Sequence, residues 1–132
     1  MANLSPKVEK FLGEKHFGKL ATIMKDGSPH VTPIWYMLDE GKIIVNTTNN
    51  RVKYHNIERD DRVCLLVDDG YPYVAIFGRG RIASERDSKK DIEALAIRYT
   101  GDAAGRKSAR SIYWKQPRAS IEIVPERVVS AL

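Results

Sequence analysis

The residues with the most chemical content lie together in Thr47-Thr48-Asn49-Asn50-Arg51-Val52-Lys53. Hydroxyl and amide side chains crowd the end of an apolar run, and a short helical pattern begins directly after them. Backbone N–H groups at a helix start point outward and favour negative charge. Arg51 and Lys53 add full positive charges, and Thr47 and Thr48 can donate hydroxyl bonds. This combination suits a phosphate, although a capped helix with solvated basic residues would read the same way.

A second feature is the aromatic run Pro33-Ile34-Trp35-Tyr36. It can form a flat apolar wall for a planar ring, and the backbone beside Pro33, free of ladder bonds, can bond ring heteroatoms. A packing role in the core or at an interface fits the same residues. Other chemistries find no support. His16, His30 and His55 share no metal-ligand spacing, and the single cysteine, Cys64, sits in an apolar run as a small hydrophobe. No Gly-x-Ser-x-Gly, P-loop or dinucleotide fingerprint occurs, since Gly78-Arg79-Gly80 lies within a strand pattern. If the chain is an enzyme, a cofactor carries the hard chemistry.

Elements must hold these residues in place. Ser5-Pro6 opens a helix whose face is Val8, Phe11 and Leu12. Strands are expected over 18–25, 30–38, 42–47, 62–67, 73–84 and 119–129, with a hairpin at Asp26-Gly27 and a turn at Asp39-Glu40-Gly41. Pro33 requires a free edge or a bulge in the second strand, and Gly78 and Gly80 mark bends or bulges in the fifth. Arg51 to Arg59 reads as a short helix. Ser88 and Asp91 form a capping-box pair, followed by Ile92, Leu95, Ala96 and Tyr99 at helical spacing and a stop at Gly101. Residues 105–117 give no clear element. The pattern predicts a mostly β protein, a six-stranded antiparallel barrel with a few short helices. Its interior is filled by side chains, so a ligand binds outside it.

At 132 residues, with 42% hydrophobic and 30% charged, the chain suits one soluble domain spanning 1–132. No apolar run is long enough to span a membrane and no signal peptide is evident, which points to the cytoplasm by elimination. The net charge of +5 (22 basic against 17 acidic) is local. Ala103 to Ile121 contains no acid, while Arg106, Lys107, Arg110, Lys115 and Arg118 are all basic. Such a segment suggests an anionic ligand nearby.

Taken in order, four segments resemble the pyridoxamine 5′-phosphate oxidase-like superfamily, the flavin- and deazaflavin-binding split β-barrels, in its short-chain form. They are Leu20 to Tyr36 through Asp26-Gly27-Ser28-Pro29-His30, Ile43 to Val63 through Arg51-Val52-Lys53 and Asn56-Ile57, Tyr73 to Gly80, and the last strand with Pro125-Glu126-Arg127-Val128. The resemblance implies an FMN-binding split barrel that forms a homodimer with two cofactor sites at the seam. Val31, Thr32, Pro33, Ile34, Trp35 and Tyr36 would line the ring. Thr47, with Thr48 beside it, would serve the ribityl-phosphate end, Arg51 and Lys53 would hold the phosphate, and Tyr73 would contact the ring. The chain lacks the longer oxidase's C-terminal substrate-binding part. It is more similar to members that bind coenzyme F-420 or FMN and pass hydride to a small conjugated substrate. The basic segment would suit the acidic glutamyl tail of F-420. The proton donor stays open among a backbone amide, water and Tyr36. A non-catalytic flavin or deazaflavin carrier or sensor is the alternative. A barrel for single-stranded nucleic acid is a third reading, resting on a pI near 9.4. The concentration of charge in one stretch weighs against it, so nucleic acid is not an expected partner.

Overall fold

The computed structural model describes residues 2–132. Seven strands form one antiparallel sheet: β1 (Gly18–Ile23), β2 (Pro29–Ile34), β3 (Met37–Asp39), β4 (Lys42–Thr48), β5 (Arg62–Asp68), β6 (Tyr73–Ile82) and β7 (Arg118–Ala131). Their order is β2-β1-β5-β6-β7-β4-β3. The expected count of six becomes seven because the stretch 30–38 is two strands. β2 pairs with β1 and β3 pairs with β4, at opposite ends of the sheet. Only Trp35 and Tyr36 separate them, so Ile34 and Met37 lie within about 11 Å of each other. The sheet is therefore rolled up, and at this point its ends are joined by chain rather than by a ladder. This is a split barrel.

The corner forms because its two aromatic residues go opposite ways. Tyr36 is fully buried in the barrel core with Leu20, Ile43, Val45, Leu65, Val67, Ile76, Ile121 and Ile123. Trp35 packs outside, against α3. The helix α1 (Pro6–Gly13) adds Val8 and Leu12 to the core, and α2 (Val52–Arg59) adds Ile57. Ser5 caps α1 as expected, accepting from the Val8 amide. Its other end is closed by Arg98, whose guanidinium donates to the carbonyls of Leu12, Gly13 and Glu14.

The helix α3 (Ser88–Thr100) lies on the barrel's outside, with Ile92, Leu95 and Tyr99 against Trp35 and Met37. Its cap is Asp87, which accepts from the amides of Lys89 and Lys90, so the expected Ser88–Asp91 pair does not form. Asp91 instead binds Arg86 at 2.8 and 3.0 Å and accepts from Ser120 at 2.6 Å. Gly101 ends the helix at φ 96°, as expected. The unassigned basic stretch is mostly helical: α4 (Asp102–Ser111), then a 3-10 turn at Tyr113–Lys115. A Cβ at Gly105 would sit 2.5 Å from the Ile97 amide nitrogen, so the α3–α4 contact is backbone to backbone. The expected irregularity at Gly78 is a register shift between Phe77 and Gly78, opposite Pro125.

Candidate functional site

Where the corner, α3 and the start of β7 meet, they border an open cavity of about 380 Å³. Its walls are apolar: Phe17, Pro33, Ile34 and Trp35 on the barrel side, Ile92 and Leu95 from α3, and Tyr113. The polar groups facing it are Asn46 of β4, Lys53 of α2 and Arg118 of β7. Trp35 is held rigidly, parallel to Tyr99 and edge-on to Tyr113, with centroids 6.3 Å apart in the second pair.

The edge strand beside this wall has a defined polarity. Met24 donates to Ser28 in the hairpin, which fixes the phase of the β1–β2 ladder. Pro29, Val31 and Pro33 then face away from β1. Both prolines sit where no ladder donor is lost. The free edge from 29 to 33 therefore offers three carbonyls and one donor, the Val31 N–H.

The cations stand without acids. Among the described residues, no carboxylate lies within salt-bridge distance of Arg51, Lys53 or Arg118. Burial, and then the charges of Arg51 and Arg118, push the Lys53 ammonium below its usual range. Burial also lowers Arg118, with Arg51 adding to the effect against the opposing influence of Tyr113. Arg118 is held by neutral partners only. Its Nε donates to Asn46 Oδ1 at 2.8 Å, a terminal nitrogen donates to Gln116 Oε1 at 2.8 Å, and the guanidinium lies 5.5 Å from the Tyr113 ring centroid. Asn46 is oriented in turn by donating to the Ser88 carbonyl at 3.0 Å. A cluster of positive charge with no counter-charge is costly unless an anion completes it.

Of the sequence-predicted residues, Pro33, Ile34, Trp35 and Lys53 line the cavity. Arg51 occupies the N-cap position of α2, is exposed, and makes no side-chain cap bond. Thr47 and Thr48 are buried at the end of β4. By the two-residue period Thr47 shares the inner face of Ile43 and Val45, while Thr48 shares the face of Asn46 and donates to Asn50. Val31 is exposed on the outer sheet face. Thr32 points the other way, with its buried hydroxyl unpartnered. Tyr73 opens β6 opposite Ala131, at the far end of β7 from Arg118, and does not line the cavity. Tyr36 is not placed to donate a proton there. It is fully buried, its hydroxyl donates to the Leu12 carbonyl at 2.8 Å, and burial raises its phenol far above the usual value.

Sequence reasoning did not single out Asn46, Phe17, Tyr113 or the α3 residues for the site. A polar Asn after Ile43-Ile44-Val45 was a usable signal. Of the basic segment, only Arg118 reaches this cavity, while Arg106, Lys107, Arg110 and Lys115 are exposed. Among the described residues no group of His, Cys, Asp or Glu could hold a metal ion, and no helix is long and apolar enough to cross a membrane.

The rolled sheet and its flanking cationic cavity define a split-barrel protein, and residues 4–130 match the pyridoxamine 5′-phosphate oxidase family, to which the chain belongs. It is 30% identical over 130 residues to an F420H(2)-dependent biliverdin reductase of Mycobacterium tuberculosis, covering 97% of this chain and 88% of that one. A 5a,11a-dehydrotetracycline/5a,11a-dehydrooxytetracycline reductase of Streptomyces rimosus is 32% identical over 63 residues, 45% of this chain and 44% of its own. The crystal structure of a conserved hypothetical protein from Mycobacterium tuberculosis superposes with a TM-score of 0.79 at 28% identity, covering 98% of this chain and 85% of that one.

Proposed function

We propose that the chain is an oxidoreductase that binds coenzyme F-420, or FMN in its place, and uses it to reduce a small conjugated substrate. The observation that carries this reading is the acid-free group Arg51, Lys53 and Arg118 beside an aromatic-walled cavity. An apolar slot with cations at one side fits a planar ring joined to a phosphate. The similarity to an F420H(2)-dependent reductase over nearly the whole chain supports the deazaflavin.

In this reading the ring lies against Trp35, Ile34 and Pro33. The free backbone of Val31 and Pro33 serves its heteroatoms, and Lys53 and Arg51 hold the phosphate, with Thr47 and Thr48 shaping the turn before them. The bound cofactor supplies the hydride. The chain's own contribution is orientation, exclusion of water by Phe17, Ile92 and Leu95, and positive charge that favours electron-rich states of the ring.

The functional unit in this reading is a homodimer. Ladder register sets two mostly apolar rows across the outer sheet face, Val31-Ala21-Cys64-Phe77 and Pro33-Lys19-Leu66-Ala75-Val129. Val31 is 58% exposed, and Leu66, Phe77 and Val129 are each 36% exposed. This face includes two of the ring-lining residues, so a second copy placed on it would complete the site, and Tyr73 could serve from the partner side. A cavity of about 380 Å³ is near the lower end for a ligand site, which accords with one wall being supplied by another copy.

The test is fluorescence and absorbance titration of the purified protein with F-420 and with FMN, followed by single-turnover assays with reduced cofactor. Saturable binding of F-420 with oxidation of its reduced form by a conjugated acceptor is expected. Binding of neither cofactor overturns the reading, and binding without turnover for any acceptor moves it to a carrier or sensor.

A further inference from the structure

A second groove lies on the opposite side of α3 from the first cavity. Ile92 and Leu95 face the cavity, and Ala94 and Ile97, each two positions further on, are turned about 200° around the helix axis from them. With Trp114 of the 3-10 turn they form the floor of an open groove of about 580 Å³, a volume within the usual range for a small-molecule site. Its residues come from 87–97 and 110–114, so it is separate from the sheet rows proposed for assembly.

Trp114 is fixed in place. Its Nε1 donates to the Lys89 carbonyl at 2.9 Å, and the Arg110 guanidinium lies 5.7 Å from its ring centroid. The indole is satisfied at its polar edge and offers the groove apolar surface. Lys90, Ala94 and Ile97 follow one another at helical spacing along one wall, a stripe about 10 Å long that matches a fused-ring body.

The rim is cationic. Lys89, Lys90 and Arg110 border the groove, and among the described residues no carboxylate lies within salt-bridge distance of any of them. Two acids border it as well. Asp87 accepts from the amides of Lys89 and Lys90 at the start of α3, where the helix dipole offsets its charge, and Glu93 faces the groove without an ion-pair partner. Three cations against two acids leave one positive charge in excess, which suits a ligand with a single anionic group. Arg106, Lys107 and Lys115 extend the positive field along α4 and past Trp114. The basic segment, largely unused by the first cavity, thus has an apolar surface of its own beside it.

We infer that this groove is a second ligand site, for a fused-ring aromatic carrying one carboxylate or sulfonate. Its rings lie on Ala94, Ile97 and Trp114, and its anionic group is met by Arg110 with Lys89 and Lys90. The site does not depend on the cofactor reading of the first cavity.

Proton–nitrogen correlation spectra test the assignment, with naphthalene-2-sulfonate as the probe and neutral naphthalene-2-methanol as the control. The chain has two tryptophans, whose indole N–H signals report the two sites separately, Trp35 the first cavity and Trp114 the groove. Saturable shifts of the Trp114 indole and of the Ala94 and Ile97 amides are expected, with a Kd of about 1 mM or tighter. The alcohol is expected to bind about fivefold or more weakly, and added salt to weaken the sulfonate alone. Arg110→Gln and Lys90→Glu, both at exposed positions, are each expected to weaken the sulfonate about threefold or more. An unmoved Trp35 signal shows in each case that the fold persists. No saturation at millimolar probe, equal affinity for the alcohol, variants that bind as wild type, or shifts confined to Trp35 overturn the inference. So does displacement of the sulfonate by F-420, because the groove would then belong to the cofactor. F-420 binding in the first cavity is read at Trp35, so failure of either reading leaves the other standing.

Discussion

The Trp35 indole and the Tyr99 phenol ring lie parallel, 5.2 Å apart with 5° between their planes. The Tyr99 hydroxyl donates to the His16 carbonyl at 2.6 Å and accepts from the Tyr36 amide at 3.3 Å. One side chain of α3 thus backs the cavity wall and pins both the corner and the chain entering β1. Tyr99→Phe removes only the hydroxyl bonds and is expected to lower stability by about 1 kcal/mol. Tyr99→Ala removes the stack as well and is expected to cost about 3–5 kcal/mol. Urea unfolding followed by tryptophan fluorescence measures both, and cofactor affinity is expected to fall in the same order.

Lys53 gives a prediction with a definite sign. Its folded-state pKa lies below the ordinary value, chiefly through burial and then through Arg51 and Arg118. Between the two values the unfolded chain holds more protons, so the stability of the ligand-free protein rises with pH across that window. Below the window the destabilisation is fully present. Lys53→Met is expected to raise the urea midpoint of the ligand-free protein at neutral pH and to flatten the alkaline rise. The same variant is expected to weaken binding of a phosphate-bearing cofactor by about tenfold or more. A cofactor affinity equal to wild type would remove Lys53 from the phosphate site.

Gly105→Ala is a packing test. Alanine is the better helix former by about 1 kcal/mol, yet its methyl group would meet the Ile97 backbone at 2.5–2.6 Å. The variant is expected to lose about 1–3 kcal/mol net and to speed amide exchange across α4. Protection equal to wild type would show that α4 can retreat from α3 without cost.

The apolar rows on the outer sheet face predict the assembly. The chain, of 14.9 kDa, is expected to sediment at twice that mass. Leu66→Glu, in the middle of one row, is expected to shift it to the monomer with little change in far-ultraviolet circular dichroism. A wild-type monomer at micromolar concentration would exclude a shared site.

Much of this was legible in the sequence, and the remainder depended on distant contacts. The Ser5 cap, the Asp26-Gly27 hairpin and the Gly101 stop are local, and each forms as read. The break after Ile34 was invisible because apolar and aromatic residues run through it. It is fixed by Tyr36, whose amide and hydroxyl are bound by Tyr99 and Leu12, 63 and 24 residues away. α4 was missed because Gly105 and a polar composition suggest a loop, whereas glycine there permits close approach to α3. Of the residues that line the candidate cavity, those at 33–35 and Lys53 are picked out by residue type alone. Arg118 joins them because strand register places it opposite Thr48, next to Asn46, which charge counting along the chain cannot supply.

The two-residue link between β2 and β3 has a mechanical consequence. Whatever presses on the indole also bears on the direct connection between the sheet's ends, where no rungs share the load. On the proposed function, a guest seated there would act as a clasp: its residence would slow the unrolling of the sheet, and a nick between Trp35 and Tyr36 would weaken its hold.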